Sequence, residues 1–251
     1  MGDKMQNQIA GGTWEVYSFL GEAGKLTVVS FNVEAALENQ HNGLHTTARV
    51  IVRLPANYIG ENGLPVETAF EQLRRIEKHL IQSLQESGLE CRLVGRKTSD
   101  GRQEFVFQVA DLQRFTEAIR PMLEKDTAYR MELQSQAGWE YFERNIMPSP
   151  KNWQVIQDRK MIGELLGAGV DPGQKQLLRF TFLGEHKPLQ RVETALRDKS
   201  FTVEEREKDR LVLSKGSALY PDLVFAMSAE LFDLSVSVGA RYAGWQAMPL
   251  K

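Results

Sequence analysis

The sequence predicts an α+β protein of two ferredoxin-like domains, each an antiparallel sheet with the element order βαββαβ. Two stretches end in the same signature, Ala137-Gly138-Trp139 and Ala243-Gly244-Trp245. The elements predicted before each signature follow the same order, and a proline-rich stretch at 147–150 separates them. Because a repeat of this size sets the architecture, we expect two related modules, the first extended by an N-terminal β-hairpin.

Length and composition agree with two globular domains. The chain has 251 residues, of which 42% are hydrophobic and 25% charged, an ordinary globular balance. The proline-rich break predicts domains at 1–147 and 152–251. Residues 1–150 carry a net charge of −4 and residues 151–251 a net charge of +2. Neither half therefore has the strongly basic surface that indicates nucleic-acid binding.

The first domain is predicted to begin with the hairpin, whose two segments are rich in β-branched and aromatic residues. Further along, Asp100-Gly101 is a strong hairpin signal, and Asp111 is suited to cap a helix. The predicted strands of this domain lie at 13–20, 25–33, 48–54, 90–96, 103–109 and 128–133. Its predicted helices lie at 65–87, from Asp111 onward and at 139–145, each assigned from apolar residues at helical spacing.

The second domain is predicted to open with a helix at 152–166 that ends at a glycine-rich turn. The further helices are predicted at 188–197 and 221–232, and the strands at 177–183, 201–205, 210–213 and 235–240. The two closing strands place their apolar residues one position out of phase relative to Trp139 and Trp245. A bulge or a slipped alignment is needed to match them. Shared ancestry and similarity of element order alone are both open.

The strand at 103–109 is the best candidate for RNA binding. It occupies the place where RNA-recognition motifs display stacking aromatics, and Phe105 and Phe107 alternate correctly. Its lead-in, Arg102-Gln103-Glu104, lacks the glycine and aromatic residue of that motif. We predict that both rings face the helices in the core. An RNA-binding module that uses the outer sheet face remains the first alternative.

No catalytic or metal-binding constellation stands out. His41 and His45 flank Asn42-Gly43, which favours a surface turn over a helical metal site. His79 and His186 lack neighbours suited to general-base work. The single cysteine, Cys91, excludes a disulfide framework, and its apolar neighbours predict burial. We predict no catalytic residue, metal or cofactor, with an enzyme whose site spans the domain interface as the second alternative.

The chain is predicted to be cytoplasmic. No apolar run approaches the ~20 residues that cross a bilayer. The first eight residues also lack the apolar segment of a signal peptide.

Residues 156–247 resemble the bacterial regulator of ribonuclease E activity B. The resemblance rests on a leading helix at 161–166 that runs into 169–172, on 218–223, and on Tyr242-Ala243-Gly244-Trp245. It implies a ferredoxin-like module that binds the ribonuclease and inhibits it, with no chemistry of its own. Residues 13–146 look like a bacterial domain family of unknown function that is found fused to such regulators.

The sequence and the resemblance together lead to one hypothesis. We expect a non-enzymatic regulatory protein that binds another protein, either ribonuclease E or a related component of RNA decay, with RNA a less favoured partner. Tyr242 and Trp245 are assigned to this protein contact. For Trp139 and Trp245, however, a ring folded over the end of the core is preferred to an exposed anchor for a partner. Family regulators are strongly acidic, whereas this module has a net charge of +2.

Overall fold

The chain folds into two compact units, Met1–Met147 and Pro148–Lys251. A computed structural model describes residues 9–21, 24–37, 43–124 and 129–248. Each unit contains one antiparallel sheet, of six strands in the first and four in the second. The predicted fold class is confirmed.

The first unit is a ferredoxin-like sheet with a hairpin added at one edge. Its strand order is β1-β2-β4-β5-β3-β6, in which the last four strands have the ferredoxin-like arrangement. The elements are β1 (Trp14–Leu20), β2 (Leu26–Asn32), α1 (Val33–Leu37), β3 (Thr46–Arg53), α2 (Glu67–Glu86), β4 (Cys91–Ser99), β5 (Arg102–Val109), α3 (Leu112–Leu123), β6 (Arg130–Ala137) and α4 (Glu140–Asn145).

Two local signals act as predicted. Asp100 and Gly101 both adopt positive φ angles, of 48° and 69°, as a two-residue hairpin of type I′ requires. The side chain of Asp111 caps α3, because its Oδ1 accepts a hydrogen bond from the backbone N–H of Arg114 at 3.0 Å. These contacts fix the β4–β5 turn and the start of α3.

The central strand β5 is covered on both faces. Phe105 and Phe107 pack into the core beneath α2 and α3, as the preferred interpretation predicts. The opposite face carries Val106, which is also fully buried. Ile146, just after α4, approaches β4 so closely that a β-carbon on Gly95 would lie 2.4 Å from its Cγ2. The segment after β6 therefore folds back over this second face.

The second unit has the complete βαββαβ order after a leading helix. Its strands are ordered β10-β7-β9-β8, and all neighbours pair antiparallel. The elements are α5 (Pro150–Gly167), β7 (Gln176–Leu183), α6 (His186–Leu196), β8 (Thr202–Arg206), β9 (Arg210–Ser217), α7 (Pro221–Val238) and β10 (Arg241–Met248). Its core lies between the sheet and helices α5, α6 and α7.

The closing strand predicted at 235–240 is wrong, because α7 continues to Val238. Leu231 and Ser235 are buried four residues apart, so the helix keeps one face against the core to its last turn. Gly239 then ends the helix at a positive φ of 79°. The one-position phase difference between the two predicted closing strands therefore has no meaning, because Val236 and Val238 belong to a helix.

The two Ala-Gly-Trp signatures occupy different positions in their sheets. The first begins at the last residue of β6 and continues beyond it, and the second lies inside β10. The pairing of β10 with β7 shifts register between Tyr242 and Trp245. Gly244, with φ of 95°, supplies the conformation that such a bulge favours. The two Ala-Gly-Trp signatures therefore do not occupy equivalent structural positions in the two units.

Candidate functional site

A buried carboxylate connects α5 to β10 in the second unit. Asp158 is 2% exposed. Its Oδ1 accepts hydrogen bonds from Nε1 of Trp245 at 2.9 Å and from Nε2 of Gln154 at 2.7 Å. Burial raises the pKa of the Asp158 carboxyl, against the opposing effect of its hydrogen bonds with Ser228, Gln154 and Trp245. The Asp158 carboxylate thus forms a polar contact between α5 and β10 within the hydrophobic core.

Tyr242 and Trp245, the predicted contact residues, belong to this core. Both are buried in the cluster that includes Phe182 and Leu231. The ring of Tyr242 lies 5.4 Å from that of Phe182, and burial raises the pKa of its hydroxyl. Trp245 closes the core, as the preferred of its two interpretations holds. Their contact with a partner stays a prediction, and it would require the rings to leave the core.

A pair of exposed apolar side chains in the second unit lies instead at the start of α7. Tyr220 is 54% exposed and Leu223 is 46% exposed. They are three residues apart and therefore share one side of the helix start, where the N–H of Leu223 donates to the carbonyl of Tyr220 at 3.0 Å. Pro221 and Asp222, between them, are also exposed. We call Tyr220, Pro221, Asp222 and Leu223 the α7 start patch.

The turn after α5 supports this patch. The N–H of Leu219 donates to the carbonyl of Pro172 at 2.9 Å. A β-carbon on Gly173 would lie 3.2 Å from the hydroxyl oxygen of Tyr220 and 3.3 Å from Oδ1 of Asp171. The rim of the patch therefore carries two carboxylates, Asp171 and Asp222. Neither forms an ion pair within the part of the chain that the structure describes.

The outer face of the second sheet is polar and of mixed charge. Phe180 and Phe182 point into the core, so the alternating Arg179 and Thr181 face outward. Nε of Arg179 lies 2.6 Å from a carboxylate oxygen of Glu204. This face offers paired charges, and its described strands place no aromatic ring there for bases to stack on.

In the first unit, Arg49, Glu104 and Tyr141 form a tight cluster over the second face of β5. The Tyr141 hydroxyl donates to the Glu104 carboxylate, and the Arg49 guanidinium lies 4.1 Å above the Tyr141 ring. Arg49 and Arg102 approach Glu104 at 3.5 and 3.6 Å. Burial, and then the charge of Glu104, raises the pKa of Tyr141. A neutral phenol beside a carboxylate flanked by two arginines is suited to anchoring α4.

The other groups considered for chemistry are isolated. His45 before β3, His79 in α2 and His186 at the start of α6 are exposed, and His41 lies outside the described residues. Among the residues that the structure describes, no three side chains of metal-binding type come together. Cys91 is buried, as predicted, and burial raises the pKa of its thiol to about 12. No helix in the described ranges is both long and apolar enough to cross a bilayer.

Comparison with known families assigns both parts of the chain. Residues 12–144 match the Family of unknown function (DUF695), and this match covers more than half of the chain. The chain belongs to the DUF695 family. Residues 155–247 match the family Regulator of ribonuclease activity B, so the resemblance seen in the sequence is confirmed. No curated protein matches the chain significantly.

Sequence reasoning missed two features of this DUF695 chain, both in its regulator-like part. Asp158 lies four residues before Ile162 in α5, and both are buried. Because residues four apart share one face of a helix, this spacing could have predicted that Asp158 is buried on the apolar face. Tyr220 and Leu223 belong to the stretch that carried the resemblance, yet their exposure depends on where α7 begins. In the DUF695 part, Phe105 and Phe107, the candidates for RNA binding, both lie in the hydrophobic core.

Proposed function

We propose that this chain is a non-enzymatic regulator that lowers the activity of a ribonuclease by binding the enzyme, with the α7 start patch as its principal contact. The observation that carries the proposal is the joint exposure of Tyr220 and Leu223 within a module similar to ribonuclease regulators. Tyrosine is among the residues that contribute most to protein interfaces. The partner is ribonuclease E or a related enzyme of RNA decay.

The charges around the patch favour a basic partner segment. The regulator-like part has a net positive charge, but Asp171 and Asp222 at the patch rim are free of ion pairs within the described residues. Opposite charges at a rim increase the association rate and select the partner, while the apolar centre supplies affinity. A segment that combines an apolar side chain with lysine or arginine would satisfy both parts of the patch.

The polar character of the outer sheet face favours protein binding over RNA binding. Arg179 is paired with Glu204, and Arg210 lies 3.3 Å from Glu205. Arginines that already face carboxylates contribute less to phosphate binding. The second unit also presents no stacking platform on its described strands, so this face lacks both elements of single-strand recognition.

The test is a cleavage assay with purified ribonuclease E, a labelled RNA and increasing amounts of the chain. We expect the cleavage rate to fall with concentration. The variant with both Tyr220→Ser and Leu223→Ser should require about tenfold more protein for the same effect, because apolar anchors at an interface centre carry most of the affinity. The matched control is Val236→Ser, which removes a 62% exposed apolar side chain from the other end of α7.

Two outcomes would contradict the proposal. One is equal inhibition by the double variant and the wild type. The other is inhibition that disappears between about 50 and 200 mM salt together with binding of the chain to labelled RNA, because phosphate contacts weaken steeply with salt. That second result would favour the RNA-binding alternative.

A further inference from the structure

A groove in the first unit lies where the added hairpin extends the sheet past α2. Its volume is about 300 Å³, at the lower end of the range for small-molecule sites. Strand pairing aligns its sheet residues in rows, in which Val28 lies beside Thr98 and Val16 beside Ser30. These rows face the same side of the sheet as Phe105, which also lines the groove.

The walls of the groove are apolar and partly open to solvent. Val16 on β1 is 40% exposed, and Phe70 on α2 is 39% exposed. Val28 on β2 also lines the groove. The floor includes a polar pair, in which the Thr98 hydroxyl donates to Oε1 of Gln103 at 2.6 Å. An apolar body can therefore contact three side chains while a polar end reaches hydroxyl and amide groups.

One positive charge remains uncompensated at the groove. Arg96 stacks on the Trp14 ring at 4.0 Å and donates to both carboxylate oxygens of Glu77, from Nε at 2.9 Å and from Nη2. Arg74, which also lines the groove from α2, forms no ion pair within the described ranges. Glu77 is the groove's own carboxylate and is already engaged by Arg96. The groove therefore carries a net positive charge.

We propose that this groove binds a small amphipathic anion, whose apolar body packs between Val16, Val28 and Phe70 and whose carboxylate or equivalent group pairs with Arg74. A groove of about 300 Å³ suits a single small molecule. This binding activity is carried by the DUF695 part alone. It is separate from the ribonuclease contact at the α7 start patch.

The test is calorimetric titration of the full chain with three probes of equal chain length, namely octanoate, octanol and octylamine. We expect octanoate to bind with a stoichiometry of one and about two- to fivefold more tightly than octanol, which is the range for a partly exposed ion pair. Octylamine should bind more weakly than octanol. Amide NMR signals of Val16 and Val28 should shift on addition of octanoate.

Variants locate the charge and the apolar contact separately. In Arg74→Gln, the affinity for octanoate should fall to that for octanol, while the affinity for octanol stays the same. Arg75→Gln is the matched control, because Arg75 is an exposed arginine on the same helix that does not line the groove. Val16→Ser should weaken binding of both probes. Equal affinities for all three probes, equal effects of the two arginine variants, or no saturable octanoate binding would overturn the proposal.

Discussion

Removing the carboxylate of Asp158 should destabilise the second unit more than removing its charge. In Asp158→Ala, the buried Nε1 of Trp245 loses its acceptor at 2.9 Å. A buried donor left without a partner costs about 1–3 kcal/mol. Gln154 loses the same acceptor, but its partly exposed side chain can turn to water and adds little. We therefore expect the free energy of unfolding to fall by about 1–3 kcal/mol.

Asp158→Asn should be much milder. The asparagine keeps an oxygen that can accept from both Trp245 and Gln154, and it carries no charge to bury. Because burial raises the pKa of Asp158, the ionised form is disfavoured in the folded state relative to the unfolded state. We expect the asparagine variant to lie within about 1 kcal/mol of the wild type near pH 7, since a lost charge-assisted bond offsets the removed desolvation.

The pH dependence follows from the direction of this shift. A carboxyl with a raised pKa in the folded state binds its proton more tightly there, so its stabilising contribution is fully present below the unfolded pKa. That contribution is lost as the pH rises from about 3.8, the ordinary value, through the raised pKa of the folded state. Over this window, Asp158→Asn should gain stability relative to the wild type, and above it the difference should be constant.

A double-mutant cycle with Trp245→Phe isolates the hydrogen bond. When both partners are removed, neither group is left unsatisfied, so the double variant should lose about 1–2 kcal/mol less than the sum of the two single variants. Because the chain has two compact units, unfolding is best followed by hydrogen exchange of amides in α5 and β10 during a urea series. Strict additivity of the two substitutions, or a wild-type profile that rises with pH in the stated window relative to Asp158→Asn, would refute this reasoning.

Two further predictions concern the first unit. Since burial raises the pKa of the Cys91 thiol to about 12, a disulfide reagent at pH 8 should react only when the chain is unfolded in urea, and rapid reaction of the native protein would contradict the burial. Tyr141→Phe should destabilise this unit by about 1–2 kcal/mol, because the buried Glu104 loses a hydrogen-bond donor. Unchanged urea unfolding of this variant would show that α4 is held by apolar contacts alone.

The sequence predicted most elements because their signals are local. The Asp100-Gly101 turn and the Asp111 cap depend on residues within four positions of each other, and both occur as expected. The end of α7 was mispredicted because Val236 and Val238 have high β propensity. In the structure, packing of Ser235 against the core favours helix, and tertiary context outweighs propensity there.

The candidate surfaces were less predictable because exposure is a property of the assembled fold. Tyr242 and Trp245 looked suited to a contact, yet β10 turns both toward the core, where Asp158 of a distant helix accepts from the indole. The groove depends on one helix, α2, and on four strands, β1, β2, β4 and β5. The strand register places Val28 beside Thr98, and Arg74 lines the same groove without an ion pair to any residue that the structure describes.

The stretches that carry the resemblance to the ribonuclease regulators separate into two physical roles. Trp245 and Tyr242 stabilise the module, because both fill its core and Trp245 also donates to the buried carboxylate of Asp158. Tyr220 and Leu223 gain little from folding, since about half of each side chain stays in water. Exposed apolar side chains of this kind are stabilised only when a partner covers them. The resemblance through the first pair therefore concerns the fold, whereas the second pair is where we propose that a partner binds.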